Sequence, residues 1–171
     1  MRIIYIANVR FPTNKAHGIQ IAKMCEALAR QGANLTLVVP RRGGRADPFA
    51  FYGLKTAFTV KRIWGPSIFP KTRLGFLLST LLFTFSAGIY LLWRRNYDVV
   101  YSVDIDHFSF LGVLCGKRPR FFEMHAPRRR TWLNRLWFNN ISGVIAVNQA
   151  IQTVLETNFP ALKGNTLVAP N

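Results

Sequence analysis

The chain has 171 residues, enough for one domain with a full core, and its 50% hydrophobic content excludes an intrinsically disordered protein. Twenty-three Lys and Arg face seven Asp and Glu, and the resulting net charge of +16 favours anionic partners: nucleic acid, anionic lipid or a phosphorylated substrate. Two cysteines, Cys25 and Cys115, are too few for a disulfide framework and are not spaced for zinc; each lies in an apolar helical stretch and reads as a buried thiol in a reducing cytoplasm.

Residues 2–8 predict a buried strand, and no signal peptide pattern precedes it. Ile21, Met24, Cys25 and Leu28 recur at helical spacing within 18–31, with Gly32 as the stop. Residues 34–39 predict a second strand, closed by Pro40, completing a β-α-β unit. A basic loop with two glycines, 41–45, leads to a third strand at 57–63. From Leu74 to Trp93 there is no charged residue, a length sufficient to cross a bilayer. A crossing would divide one sheet between two sides of a membrane. The segment therefore reads as a buried or half-buried helix, with contact at a membrane surface as the alternative that the net charge favours. A fourth strand is predicted at 98–102, a short helix at 106–115 and a fifth strand at 120–124. A basic, Trp-containing helix follows at about 130–139, a sixth strand at 143–147, a helix at 149–158 and a last strand at 165–169. Apolar strands alternating with helices predict an α/β domain over 1–171: a Rossmann-like, doubly wound parallel sheet of about seven strands with helices on both faces.

Ligands of such sheets bind beyond the carboxyl ends of the strands, so the residues following each strand are the candidates. After strand 1, the loop containing Arg10 runs to His17 and Gly18 at the start of a helix, where free amides and the helix dipole favour a phosphate. The loop is not G-x-G-x-x-G, so no nicotinamide or flavin dinucleotide cofactor is expected. After strand 4, Asp104 and Asp106 read as helix caps or, as Asp-x-Asp, as ligands for a divalent metal; His107 follows them. Strand 5 ends in Glu123-Met-His125, where a histidine can donate a hydrogen bond or orient a reacting group, or simply be structural. Arg128–Arg130 form an anion site or a solvated helix entrance. Asn148, after strand 6, suits a helix cap. Trp132, Trp137 and Phe138 lie near those arginines, but no helix-turn-helix, RRM-like or OB-like pattern accompanies them, and nucleic acid is not expected as a partner.

Four stretches in this order resemble one family. Lys15-Ala-His-Gly18-Ile-Gln-Ile-Ala-Lys-Met-Cys-Glu-Ala-Leu-Ala, Phe122-Glu-Met-His125, Val144-Ile-Ala-Val-Asn148 and Leu167-Val-Ala-Pro-Asn171 resemble the N-terminal domain of GT-B glycosyltransferases of the GT4 family. The resemblance covers essentially the whole chain. It implies one half of a GT-B fold, the acceptor-side domain of an enzyme that moves a sugar from a nucleotide-diphosphate-sugar donor to an acceptor hydroxyl, usually with retention. A second, C-terminal domain carrying a Glu-x7-Glu motif is implied beyond Asn171, and this half alone is expected to be inactive. The resemblance further implies that Gly18, beside His17, offers its amide to the donor diphosphate and that His125 bonds the transferred sugar. Arg10, Asp104, His107, Glu123 and Asn148 become acceptor or cleft residues. Family members generally need no metal, so neither metal nor cofactor is expected. A glycan or lipid-linked acceptor in cell-envelope polysaccharide or glycolipid synthesis, and a cytoplasmic location at the inner membrane face, fit the basic, apolar chain. The competing reading is a noncatalytic basic module that binds anionic glycan or lipid.

Overall fold

In the computed structural model, residues 1–42, 46–67, 72–103, 113 and 115–169 are described. Strands β1 (Arg2–Ile6), β2 (Asn34–Pro40), β3 (Thr59–Ile63), β4 (Val99–Val103), β5 (Arg120–Met124), β6 (Gly143–Ala146) and β7 (Thr166–Val168) form one sheet. Its order is β3-β2-β1-β4-β5-β6-β7, and every pair is parallel. The chain first winds outward from β1 to β3, then crosses back to β4 on the other side of β1. The carboxyl ends of β1 and β4 therefore flank the point where strand order reverses, the usual crevice of such sheets.

Alternation along the strands divides the core between the two faces. Ile3, Tyr5, Leu35, Leu37 and Tyr101 meet helix α1 (Ala16–Arg30) and helix α2 (Pro48–Tyr52) on one face. Ile4, Ile6, Val38, Ile63 and Val100 meet helix α3 (Arg73–Trp93) on the other. On that same face Phe122, Met124, Val144 and Ala146 pack against helices α4 (Trp132–Phe138) and α5 (Gln149–Asn158). The doubly wound, seven-stranded α/β fold expected from the sequence is the fold observed.

Local chemistry explains most element ends. Gly32 adopts φ +85° after α1, and the amides of Gly32 and Ala33 bond back to the carbonyls of Ala29 and Leu28. That is a Schellman closure, which needs a left-handed residue at this position. Helix α2 was not anticipated. Its signals were present: Asp47 accepts from the amides of Phe49 and Ala50, Pro48 occupies the first turn, and Gly53 closes it at φ +60°. Cys25 is buried as expected, but Cys115 is exposed. Val113, two residues earlier, takes the place in the core, leaving Cys115 on the rim. The helix expected at 106–115 falls largely outside the described residues, as do Gly43, Gly44, Arg45, Pro170 and Asn171.

Candidate active site

The loop from β1 to α1 builds one side of the site. Beyond Ile6 the chain passes through Asn8 and Arg10 and reaches α1 at Lys15–Ala16. A cavity of about 440 Å³ opens here, lined by Arg10, Lys15, His17 and Arg42 among others. The Arg42 guanidinium donates to the side-chain carbonyl of Asn8, which is itself buried. This anchors a cation at the cavity wall. His17 is held below its ordinary pKa, first by partial burial and then by Lys15. It is therefore neutral at pH 7, and the cavity's positive charge comes from Arg10, Lys15 and Arg42.

Gly18 departs from the sequence-based expectation. Its amide donates to the Lys15 carbonyl at 2.9 Å, so it is not an open phosphate donor. A Cβ here would lie 2.4 Å from Thr13 Cγ2 and 2.8 Å from the Tyr52 hydroxyl. The glycine is required because the loop and α2 press on the first turn of α1: Tyr52 donates to the Thr13 carbonyl at 2.9 Å. The amides of Ala16 and His17 precede it in the turn, where a helix leaves its N–H groups without intrahelical partners. Lys15, at the cap position, offers them no side-chain acceptor.

The end of β5 builds the other side. Glu123 is 2% exposed and points from the sheet toward α1. One of its oxygens, Oε2, accepts from the Tyr101 hydroxyl at 2.7 Å. The other, Oε1, meets Gln20 Nε2 at 2.7 Å and His125 Nε2 at 2.8 Å. A carboxylate only accepts, so His125 carries its proton on Nε2 toward Glu123. Burial, and then Glu123, push the Tyr101 phenol up, which keeps it a donor across the physiological range. Tyr5 stacks edge-on against Tyr101 with ring centroids 4.8 Å apart, and its phenol is pushed up for the same two reasons. Gln20 and His17 lie three residues apart on α1, neighbouring positions on a helix surface. Helix α1 thus borders both the histidine network, through Gln20, and the cationic cavity, through His17.

The remaining predicted residues fall as follows. Arg10 is exposed and lines the cavity, and His125 is half-buried at the carboxyl end of β5. Glu123, expected as an acceptor or cleft residue, is buried under α1 with its oxygens held by Tyr101, Gln20 and His125. Asn148 is exposed after β6, and its Oδ1 accepts from the Ile151 amide at 2.9 Å. Its side chain is thus committed to capping α5. Asp104, Asp106 and His107 lie outside the described residues. Among the described residues no three His, Cys, Asp or Glu side chains converge on a metal position. Gln20, Tyr101 and Arg42 were missed from sequence. Only a knowledge of which strands adjoin which could have found them.

The family profile described as Glycosyltransferase Family 4 matches residues 18–171. No curated protein sequence gives a significant match. Among solved structures, sucrose-phosphate synthase from Thermosynechococcus elongatus matches with a TM-score of 0.66 at 12% identity, covering 99% of this chain and 48% of that one. UDP-GlcNAc 2-epimerase from Neisseria meningitidis, bound to UDP-GlcNAc, matches with a TM-score of 0.62 at 15% identity, covering 98% and 45%. MurG from Acinetobacter baumannii matches with a TM-score of 0.59 at 14% identity, covering 99% and 46%. At these identities the likeness is one of fold. The chain spans about half the length of each of these structures.

Proposed function

Since the chain belongs to glycosyltransferase family 4, we propose that it is the acceptor-side half of an enzyme that moves a sugar from a nucleotide-diphosphate sugar to an acceptor hydroxyl, with retention at the anomeric carbon. The observation that carries the reading is a histidine held by a buried carboxylate at the carboxyl end of β5, on the same sheet edge as a cavity lined by three cationic side chains. The donor class is supported by the UDP-GlcNAc held in the Neisseria meningitidis structure of the same fold.

The chemistry demands two things of this half. A departing nucleoside diphosphate gains negative charge as the glycosidic bond breaks. Arg10, Lys15 and Arg42 supply positive charge near the start of α1, and Arg42 is held in place by Asn8. The transferred sugar must also be held in register. Glu123 holds the His125 ring in place, and the ring so held would bond a hydroxyl of the transferred sugar. Neither task calls for a metal or a cofactor. The acceptor we propose is a glycan or a lipid-linked hydroxyl of the cell envelope; the net charge of +16 supports one that carries phosphate.

The test is turnover by the full-length protein across a panel of nucleotide-diphosphate sugars, with and without a strong chelator. Acceptor-dependent release of nucleoside diphosphate from one donor, unchanged by the chelator, is the expected result. Failure to turn over any donor, or loss of turnover on chelation, would count against this reading.

A further inference from the structure

Helix α3 is amphipathic in an unusual sense: its small residues face the protein and its large apolar residues face out. Gly75, Ser79, Thr80, Ala87 and Gly88 are buried, with Phe83 and Leu91 as the only large buried side chains. Leu74, Leu78, Leu81, Phe85, Ile89 and Leu92 fall at 4-3-4-4-3 spacing on the outer side and are 38–66% exposed. Trp93, at the end, is 84% exposed. A helix lying on a soluble sheet ordinarily carries charge on this side. Here Leu74–Trp93 has none.

The helix is long and apolar enough to cross a membrane. It does not do so in this fold. Phe83 and Ala87 are fully buried against the sheet, and β1 pairs with β2 before α3 and with β4 after it. The outer stripe therefore runs along the molecular surface for roughly 30 Å, at 1.5 Å per residue. Its two ends are basic: Arg73 opens the helix, and Arg94, Arg95, Lys117 and Arg118 are exposed at its close. Those four line a cavity of about 520 Å³. It shares Leu92 and Cys115 with an apolar groove of about 280 Å³ along α3, and among the described residues no Asp or Glu lines either one.

We propose that the outward face of α3, with the basic cluster at its C-terminal end, docks on an anionic lipid bilayer. An apolar stripe parallel to the surface, with cations at its ends and no acid within it, has the complementarity of an interfacial helix. Side chains enter the acyl boundary while guanidinium and ammonium groups meet phosphate. The cluster lies at the amino-terminal edge of the sheet, beside Tyr97 and ahead of β4 and β5. It is thus at the opposite edge from His125. This inference stands on α3 alone and does not depend on the transferase reading.

Flotation of the full-length protein with vesicles tests it. Binding is expected to vesicles of phosphatidylcholine with phosphatidylglycerol and not to phosphatidylcholine alone. The triple variant Leu81→Gln, Phe85→Gln, Leu92→Gln and the double variant Arg94→Glu, Arg95→Glu should each lose about tenfold or more in partitioning. These positions are exposed, and circular dichroism checks that the variants fold. A readout on the unaltered helix face is quenching of tryptophan fluorescence by brominated lipid, which should be reduced in Trp93→Phe. Absence of vesicle binding by the wild type, equal binding by the folded triple variant, quenching unchanged in Trp93→Phe, or a dimer that the triple variant dissociates without any lipid binding would each overturn the proposal.

Discussion

A carboxylate inside a parallel sheet is costly unless both oxygens are met by donors. Glu123 meets that condition with three partners, Tyr101, Gln20 and His125, and no arginine or lysine is among them. Such an arrangement costs stability relative to an apolar residue, and the return is a histidine fixed in one orientation. Glu123→Gln would put an amide where one oxygen accepts. Gln20 or His125 then loses its acceptor, and the histidine its fixed tautomer. We expect kcat of the full-length enzyme to fall by roughly 10–100-fold, with KM little changed. Steady-state kinetics beside a thermal melt check this. A KM effect alone, or no effect on a folded variant, would make Glu123 merely structural. Gly18 carries a different lesson. From sequence it reads as a phosphate-binding glycine, whereas the space a Cβ would need is taken by Thr13 and Tyr52, 2.4 and 2.8 Å from where that Cβ would stand. The residue type was informative, but the object that approaches it is the protein itself.

The elements show where local signals suffice. Helix α5 spans 149–158 as expected, because Asn148 caps it and its buried positions, Ile151 and Leu155, recur at i and i+4. Asn148→Ala should lower stability by about 1 kcal/mol, as loss of a side-chain cap does, and leave kcat unchanged. Chemical denaturation and a turnover assay separate that from a role in the cleft. Helix α2 is only five residues long, so its cap and glycine had to be read without any supporting periodicity. For α3, composition marked the segment but could not say which side faces the sheet, because both sides are apolar. The starts of β1 and β4 are joined by Arg2 and Asp98. The Arg2 guanidinium at 2.8 Å, and then its amide at 2.7 Å, hold the Asp98 carboxyl down to about 2. A pKa depressed on folding gives stability that is complete above the ordinary carboxylate range and is lost as pH falls through about 2. The melting temperature of Asp98→Asn should therefore lie slightly below wild type at pH 6 and approach it as the pH is lowered toward 2. A gap that stays constant over that range would contradict the pairing.

For the molecule as a whole, alternation of strands and helices made the doubly wound sheet legible in the sequence. The strand order then decides which distant residues meet. His125 could be picked out from its place after β5. The groups that hold Glu123 beneath it could not, since Gln20 lies 103 residues from Glu123 and Tyr101 belongs to a neighbouring strand. The cationic cavity was half legible: Arg10 and His17 follow β1, but Arg42 joins them because β2 lies beside β1 and ends at the same edge. On our proposal, this edge forms half of a sugar-transfer site built around His125. The most direct measurement is the turnover number of the full-length protein, wild type against His125→Ala, with the donor that the panel identifies. Loss of about a hundredfold or more in a variant with an unchanged melting temperature is the predicted result. Wild-type turnover in a folded His125→Ala protein would contradict the claim.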